Sequence, residues 1–123
     1  VQTCALPILV SLWRDAYIAW DEEVQLDGLI RWWELAKKAG LPVAGDFPDF
    51  WSQFEWMGLQ RNLRILGVFA RLNHRDGKAA YLAHIPRVNQ YVRQVANRYI
   101  AFKPLLRILD KLDGVQAKAG YTF

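Results

Sequence analysis

Apolar positions along the chain recur at helical spacing in five stretches, and no stretch alternates at period two for long enough to make a strand. The longest runs from Asp46 to Gly77, DFPDFWSQFEWMGLQRNLRILGVFARLNHRDG. Leu59, Leu63, Leu66 and Ala70 form one line there, and Ile65, Phe69 and Leu72 form a second beside it. A face that wide belongs to a central helix. Asp46 supplies its cap, Phe47 and Pro48 its first positions, and Gly77 its stop. Arg61, Arg64, Arg71 and Arg75 share the remaining stripe with Gly67, which leaves that strip to solvent or to an anionic partner.

The other four stretches are shorter. Leu9 to Trp20, LVSLWRDAYIAW, places Leu9, Leu12, Trp13 and Ala16 on one face, followed by Ala19 and Trp20. A second helix from Glu22 to Ala39 has Asp21 as cap, acidic Glu22 and Glu23 in its first turn and Lys37 and Lys38 at its end. Leu26, Leu29, Ile30, Trp33 and Ala36 are its apolar positions, and Gly28 weakens its middle by about 1 kcal/mol relative to Ala. The short link Leu41–Gly45 predicts an antiparallel partner for the central helix. After a turn at Asp76-Gly77-Lys78 and a brief irregular or single-turn piece, AAYLAHIP, Pro86 starts a helix to Tyr99 with Val88, Tyr91, Val92, Val95 and Tyr99 inward. Arg87, Asn89, Gln90, Arg93, Gln94 and Arg98 are predicted to face water. A last helix, Lys103–Leu112, buries Leu105, Leu106, Ile108 and Leu109, and residues 113–123 form a loose tail. The fold class is therefore all-α.

The 123 residues suit one domain with a substantial core, and a hydrophobic content of 53% excludes disorder. The mean hydropathy of -0.04 and the lack of a run near the ~20 apolar residues that span a bilayer point to a protein with no membrane partner, read as cytoplasmic. A net charge of +4 allows weak attraction to phosphates, but sixteen basic residues spread along the whole chain do not make a nucleic-acid footprint. Val1–Ile8, VQTCALPI, resembles the in-frame translation of a short-read sequencing adapter and is set apart as an artefactual arm, which leaves the lone Cys4 without redox or catalytic meaning.

Motifs for chemistry are sparse. There is no Gly-rich phosphate loop, no Cys/His cluster at metal-ligand spacing and no nucleophile elbow, so no catalytic or metal residue is predicted. His74 and His84 lie on different elements and read as structural or surface residues. The acidic run Asp21, Glu22, Glu23 is explained by a helix start. Most of the six tryptophans sit at core spacing; Trp56, next to Met57-Gly58, is the exception, because a missing side chain lets a ligand or another chain segment come close.

Four ordered blocks carry a resemblance: Leu9-Val10-Ser11-Leu12 with Arg14-Asp15, Met57-Gly58-Leu59-Gln60-Arg61, Phe69-Ala70-Arg71-Leu72 and Ile85-Pro86-Arg87-Val88. Together they resemble the C-terminal end of the aminoglycoside phosphotransferase family, in its bacterial anomeric N-acetylmuramate/N-acetylglucosamine kinase branch. The resemblance implies that residues 9–112 are the helical subdomain of the C-terminal lobe of a protein-kinase-like fold. It further implies transfer of the ATP γ-phosphate to a cell-wall amino sugar or an aminoglycoside-like acceptor. The family's catalytic Asp and Asn and its metal-binding Asp precede the matching blocks, where this chain has VQTCALPI instead. ATP and magnesium would thus be held by a missing N-terminal lobe, and this chain alone is expected to be inactive. Arg14 and Asp15 are the residues the resemblance turns toward the sugar, with Gln60 and Arg61 behind them. The competing reading is a self-contained helical module that meets an acidic partner or RNA through its arginine stripe.

Overall fold

The computed structural model describes residues 5–114, and within them the chain is helical with no strand: α1 (Ala5–Trp13), α2 (Glu22–Lys38), α3 (Phe47–Asp76), α4 (Ile85–Arg98) and α5 (Lys103–Leu112). Short 3-10 turns cover Ala79–His84 and Ile100–Phe102. The predicted tail from Val115 onward lies outside the described residues.

α3 is the axis. Asp46 caps it by accepting a hydrogen bond from the Asp49 N–H at 2.8 Å, and Pro48 sits in its first turn, where no intrahelical N–H is needed. Gly77 ends it at φ +66°, with its own N–H on Asn73 O and the Lys78 N–H on Leu72 O, the paired closure that favours glycine. Three core clusters are strung along its length. Phe50 and Phe54 meet Leu6, Leu9, Val10, Leu29 and Ala44; Leu59 meets Val92 and Val95; Phe69 meets Ala16 and Val88. α1 and α2 therefore pack on the first half of α3, and α4 runs along its second side.

The first helix departs from its predicted bounds at both ends. It begins at Ala5, within the arm set apart above, and Leu6 is buried in the first core cluster. It stops at Trp13 rather than Trp20. Arg14 makes the last helical bond, to Val10 O at 2.9 Å, and then the Asp15 carboxylate accepts from the Tyr17 N–H at 3.1 Å. That local turn competes with helix propagation, so the apolar spacing that continues to Trp20 is carried by irregular chain.

Gly28 gains a packing role that its propensity hides. The Trp13 indole lies against it, and a Cβ there would fall 2.3 Å from the ring. Asp21, just before α2, makes no side-chain cap bond; the Gln25 side chain donates to Trp20 O at 2.9 Å. The Trp33 indole N–H donates to Ala44 O at 2.8 Å and anchors the link into α3.

The outer residues of α4 also differ from expectation, because three of its arginines bind protein rather than water alone. Arg87 donates to Ala16 O at 3.2 Å, Arg93 holds Asp110 at 2.6 Å and Asp113 at 2.5 Å, and Arg98 reaches Glu55 at 2.6 Å. Arg93 thereby clamps α5 to α4. α5 buries less than predicted: Leu105, Leu106 and Leu109 are half-buried, and Ile108 is exposed. No helix among the described residues is long and apolar enough to cross a membrane.

Candidate functional site

The polar residues of this protein converge on the middle of α3, where Glu55 is buried with 1% exposure. Its position follows from helix geometry, since Glu55, Gly58 and Asn62 repeat at three and four residues and share the face that meets α1 and α4. Gly58 leaves room on that face, and the Arg14 side chain occupies it, passing 3.6 Å from where a Cβ would stand. Of the two neighbours expected at Gly58, a ligand or another chain segment, the described residues show the segment that carries Val10 and Arg14. Trp56 itself rests edge-on against Tyr99 and Phe102 at centroid distances of 5.8 and 4.9 Å.

Arg14 is 2% exposed. Its Nη2 donates to Glu55 Oε2 at 3.3 Å, its Nε donates to Gln25 Oε1 at 3.3 Å, and its guanidinium lies 5.0 Å from the Phe54 ring centroid and 5.6 Å from that of Trp51. Arg98 donates to the same Glu55 oxygen and also to Glu22, which accepts from Gln94 as well. The Tyr99 hydroxyl donates to Glu55 Oε1 at 3.0 Å. Two cations and two anions therefore balance across α1, α2, α3 and α4, the arrangement in which buried charge is tolerated. Burial pulls the Arg14 pKa below its ordinary value against the opposing attraction of Glu55, and burial pushes the Tyr99 hydroxyl up. Arg14 Nη1 and both amide atoms of Asn62 are buried with no partner among the described residues.

The predicted site residues separate into two groups. Arg14 faces the interior of the helical frame. Asp15 is half-buried at the end of α1, with one carboxylate oxygen committed to the Tyr17 N–H. Gln60 is exposed and Arg61 half-buried on α3, where both line a cavity of about 430 Å³ with Pro7, Met57, Arg64 and Phe69. Met57 and Gln60 also border a wider cleft beside Leu6, Ser52 and Trp56. Asp15 lines neither cavity, and no hydrogen bond joins it to Gln60 or Arg61 among the described residues. His84 packs edge-on against Tyr17 at 4.7 Å and His74 is exposed. Among the described residues no three His, Cys, Asp or Glu side chains group as metal ligands would.

Sequence reasoning missed Glu55, Gln25 and Arg98. The signal was present in α3, where Glu55 and Asn62 fall on its most buried face between Phe54 and Leu59 and before Phe69.

Comparison with known proteins bears on what this framework belongs to. The chain is 51% identical over 116 residues to the N-acetylmuramate/N-acetylglucosamine kinase of Neisseria meningitidis serogroup B, a match covering 94% of this chain and 35% of that protein. It is 40% identical over 110 residues to the kinase of the same name from Pseudomonas aeruginosa, covering 89% of this chain and 32% of that protein. The corresponding Pseudomonas putida kinase is 38% identical over 105 residues, covering 85% of this chain and 31% of that protein. No family model and no solved structure matches the chain. The chain is homologous to sugar kinases and spans about a third of the length of the curated relatives it matches.

Proposed function

We propose that this chain is the acceptor-side helical part of an ATP-dependent amino-sugar kinase, and that the chain alone transfers no phosphate. One observation carries the reading: 51% identity across 94% of the chain to a protein named as an N-acetylmuramate/N-acetylglucosamine kinase. The all-helical architecture is compatible with the helical part of a kinase-like C-terminal lobe in the aminoglycoside phosphotransferase family. In this reading ATP and magnesium are held by the part of the kinase outside this chain.

Within that reading Asp15, Gln60 and Arg61 are the acceptor contacts. Asp15 keeps one carboxylate oxygen free of hydrogen bonds among the described residues and can accept from a sugar hydroxyl. Gln60 and Arg61 offer donors to a sugar oxygen or to a carboxylate such as that of a muramate. Arg14 is a positioning residue: its buried guanidinium fixes the backbone immediately before Asp15 through Glu55 and Gln25. An Asp15→Asn variant of the whole protein tests the assignment. Loss of one charge-assisted hydrogen bond should raise the sugar KM about tenfold or more while the KM for ATP stays within about twofold. Unchanged sugar kinetics would remove Asp15 from the site.

A further inference from the structure

We propose that Arg64 sets which acceptor is preferred: together with Arg61 it receives the carboxylate of a sugar's acidic arm, the lactyl arm of a muramate, and so distinguishes an anionic acceptor from a neutral one. The inference rests on the reading of the chain as the acceptor side of an amino-sugar kinase.

Arg61 and Arg64 stand three residues apart on α3 and line the same cavity of about 430 Å³. Like charges at that spacing destabilise a helix unless an anion neutralises them. No carboxylate among the described residues does so. From Trp56 to Arg75 the helix carries Arg61, Arg64, Arg71 and Arg75 and no Asp or Glu, and neither Arg61 nor Arg64 enters an ion pair among the described residues. Arginines packed among other side chains elsewhere are matched: Arg14 with Glu55, Arg93 with Asp110 and Asp113, Arg98 with Glu22 and Glu55. Arg71 and Arg75 are also unpaired there, but both are exposed and line neither cavity, as expected of solvated arginines. Two unmatched cations in one concavity are what an anionic ligand group needs, and guanidinium suits a carboxylate because it donates two parallel hydrogen bonds.

The remaining walls fit the rest of such an arm. Met57, Ile65 and Val68 are apolar and flank the two arginines. A lactyl group carries a methyl and a carboxylate on one carbon, so its two ends match the two kinds of wall. Gln60 borders both this cavity and the wider cleft, where Asp49, Ser52, Gln53 and Trp56 offer hydrogen-bonding groups and an aromatic side chain but no cation. A neutral pyranose ring in the cleft, with its acidic arm directed past Gln60 to Arg61 and Arg64, uses both spaces. Pro7, from the arm set apart in the sequence, contributes only an apolar edge; every charged group in the argument belongs to α3.

Arg64→Gln in the full-length protein, with N-acetylmuramate, its carboxylate methyl ester and N-acetylglucosamine as acceptors, tests the inference. Loss of a charge-assisted contact should raise the KM for N-acetylmuramate about tenfold or more, while those for the ester, for N-acetylglucosamine and for ATP stay within about twofold. Arg64→Lys, which keeps the charge but not the forked geometry, should fall between. Arg64 is exposed, so the melting temperature of either variant should move by less than about 2 °C, which separates a lost contact from a lost fold. A similar rise for all three sugars, or no rise for N-acetylmuramate, would overturn the proposal. Calorimetric titration with the same three sugars makes the comparison without turnover. A full-length protein that phosphorylates no sugar, yet loses N-acetylmuramate binding alone on Arg64→Gln, would refute the kinase reading and leave the anion site standing. One that binds none of the three would refute both.

Discussion

Glu55→Gln is the perturbation that asks most of the structure. It removes one negative charge from a carboxylate that is 1% exposed and lies between Arg14, 2% exposed, and Arg98, 31% exposed. Removing one partner of a buried pair costs about 3–5 kcal/mol, because the other charge is left without compensation. Two features reduce that cost. Arg98 keeps Glu22 and reaches solvent, and the amide retains an oxygen that accepts from Arg14 or Tyr99. The expected loss is about 3 kcal/mol, which for a chain of this size lowers the melting temperature by roughly 12 °C. Urea unfolding followed by circular dichroism and by tryptophan fluorescence measures it, with coincident transitions required before a free energy is assigned. The double variant Arg14→Met, Glu55→Leu serves as the control and should recover much of the loss, since replacing a buried pair by apolar groups of similar volume is often neutral. A Glu55→Gln protein within about 1 kcal/mol of the original would refute the buried network as the frame of this fold.

Three further expectations follow from local geometry. Gly28→Ala should destabilise by about 1–3 kcal/mol in thermal melts although alanine is the better helix former, because a Cβ there falls 2.3 Å from the Trp13 ring; a stabilised variant would show that Trp13 does not pack there. Asp46→Ala should cost about 1 kcal/mol by loss of its bond to the Asp49 N–H, measurable as a shift in the urea midpoint at unchanged slope. Asp113 is held below its ordinary carboxylate pKa first by its hydrogen bond from Arg93 and then by that from Asn89, so its stabilising contribution is complete above that ordinary value and is lost as pH falls through the lowered one. Acid should therefore raise amide exchange in α5 more in the original protein than in Asp113→Asn.

The long helix was legible because each of its signals was local. Asp46, Pro48 and Gly77 act within one turn of where they stand, and the wide apolar face needs only the period of a helix. α5 was read to its end residues for the same reason, yet how deeply it packs was not legible, because Ile108 faces outward only once α4 is in place. α1 was misread because apolar spacing continues to Trp20 although the Asp15 carboxylate closes a local turn on the Tyr17 N–H, and the role of Arg14 was misread because its partner is distant in sequence. Arg14 makes the last helical bond while its side chain meets Glu55, forty-one residues away, and no spacing rule near Arg14 contains that partner. For the candidate site, Gln60 and Arg61 were placed on an accessible part of α3, whereas Arg14 proved to be an interior residue whose charge serves the frame. Charged residues on α4 were assigned to water because an arginine reads as solvated until a buried carboxylate is known to face it.

The central claim is that this chain supplies one side of an amino-sugar kinase and none of its phosphoryl-transfer machinery. Magnesium- and ATP-dependent phosphorylation of N-acetylmuramate and N-acetylglucosamine, measured side by side for the full-length protein and for the 123-residue chain, tests it most directly. The account predicts turnover of at least one sugar by the full-length protein and none by the chain. Phosphorylation by the chain alone, or a folded full-length protein that leaves both sugars untouched, would contradict it.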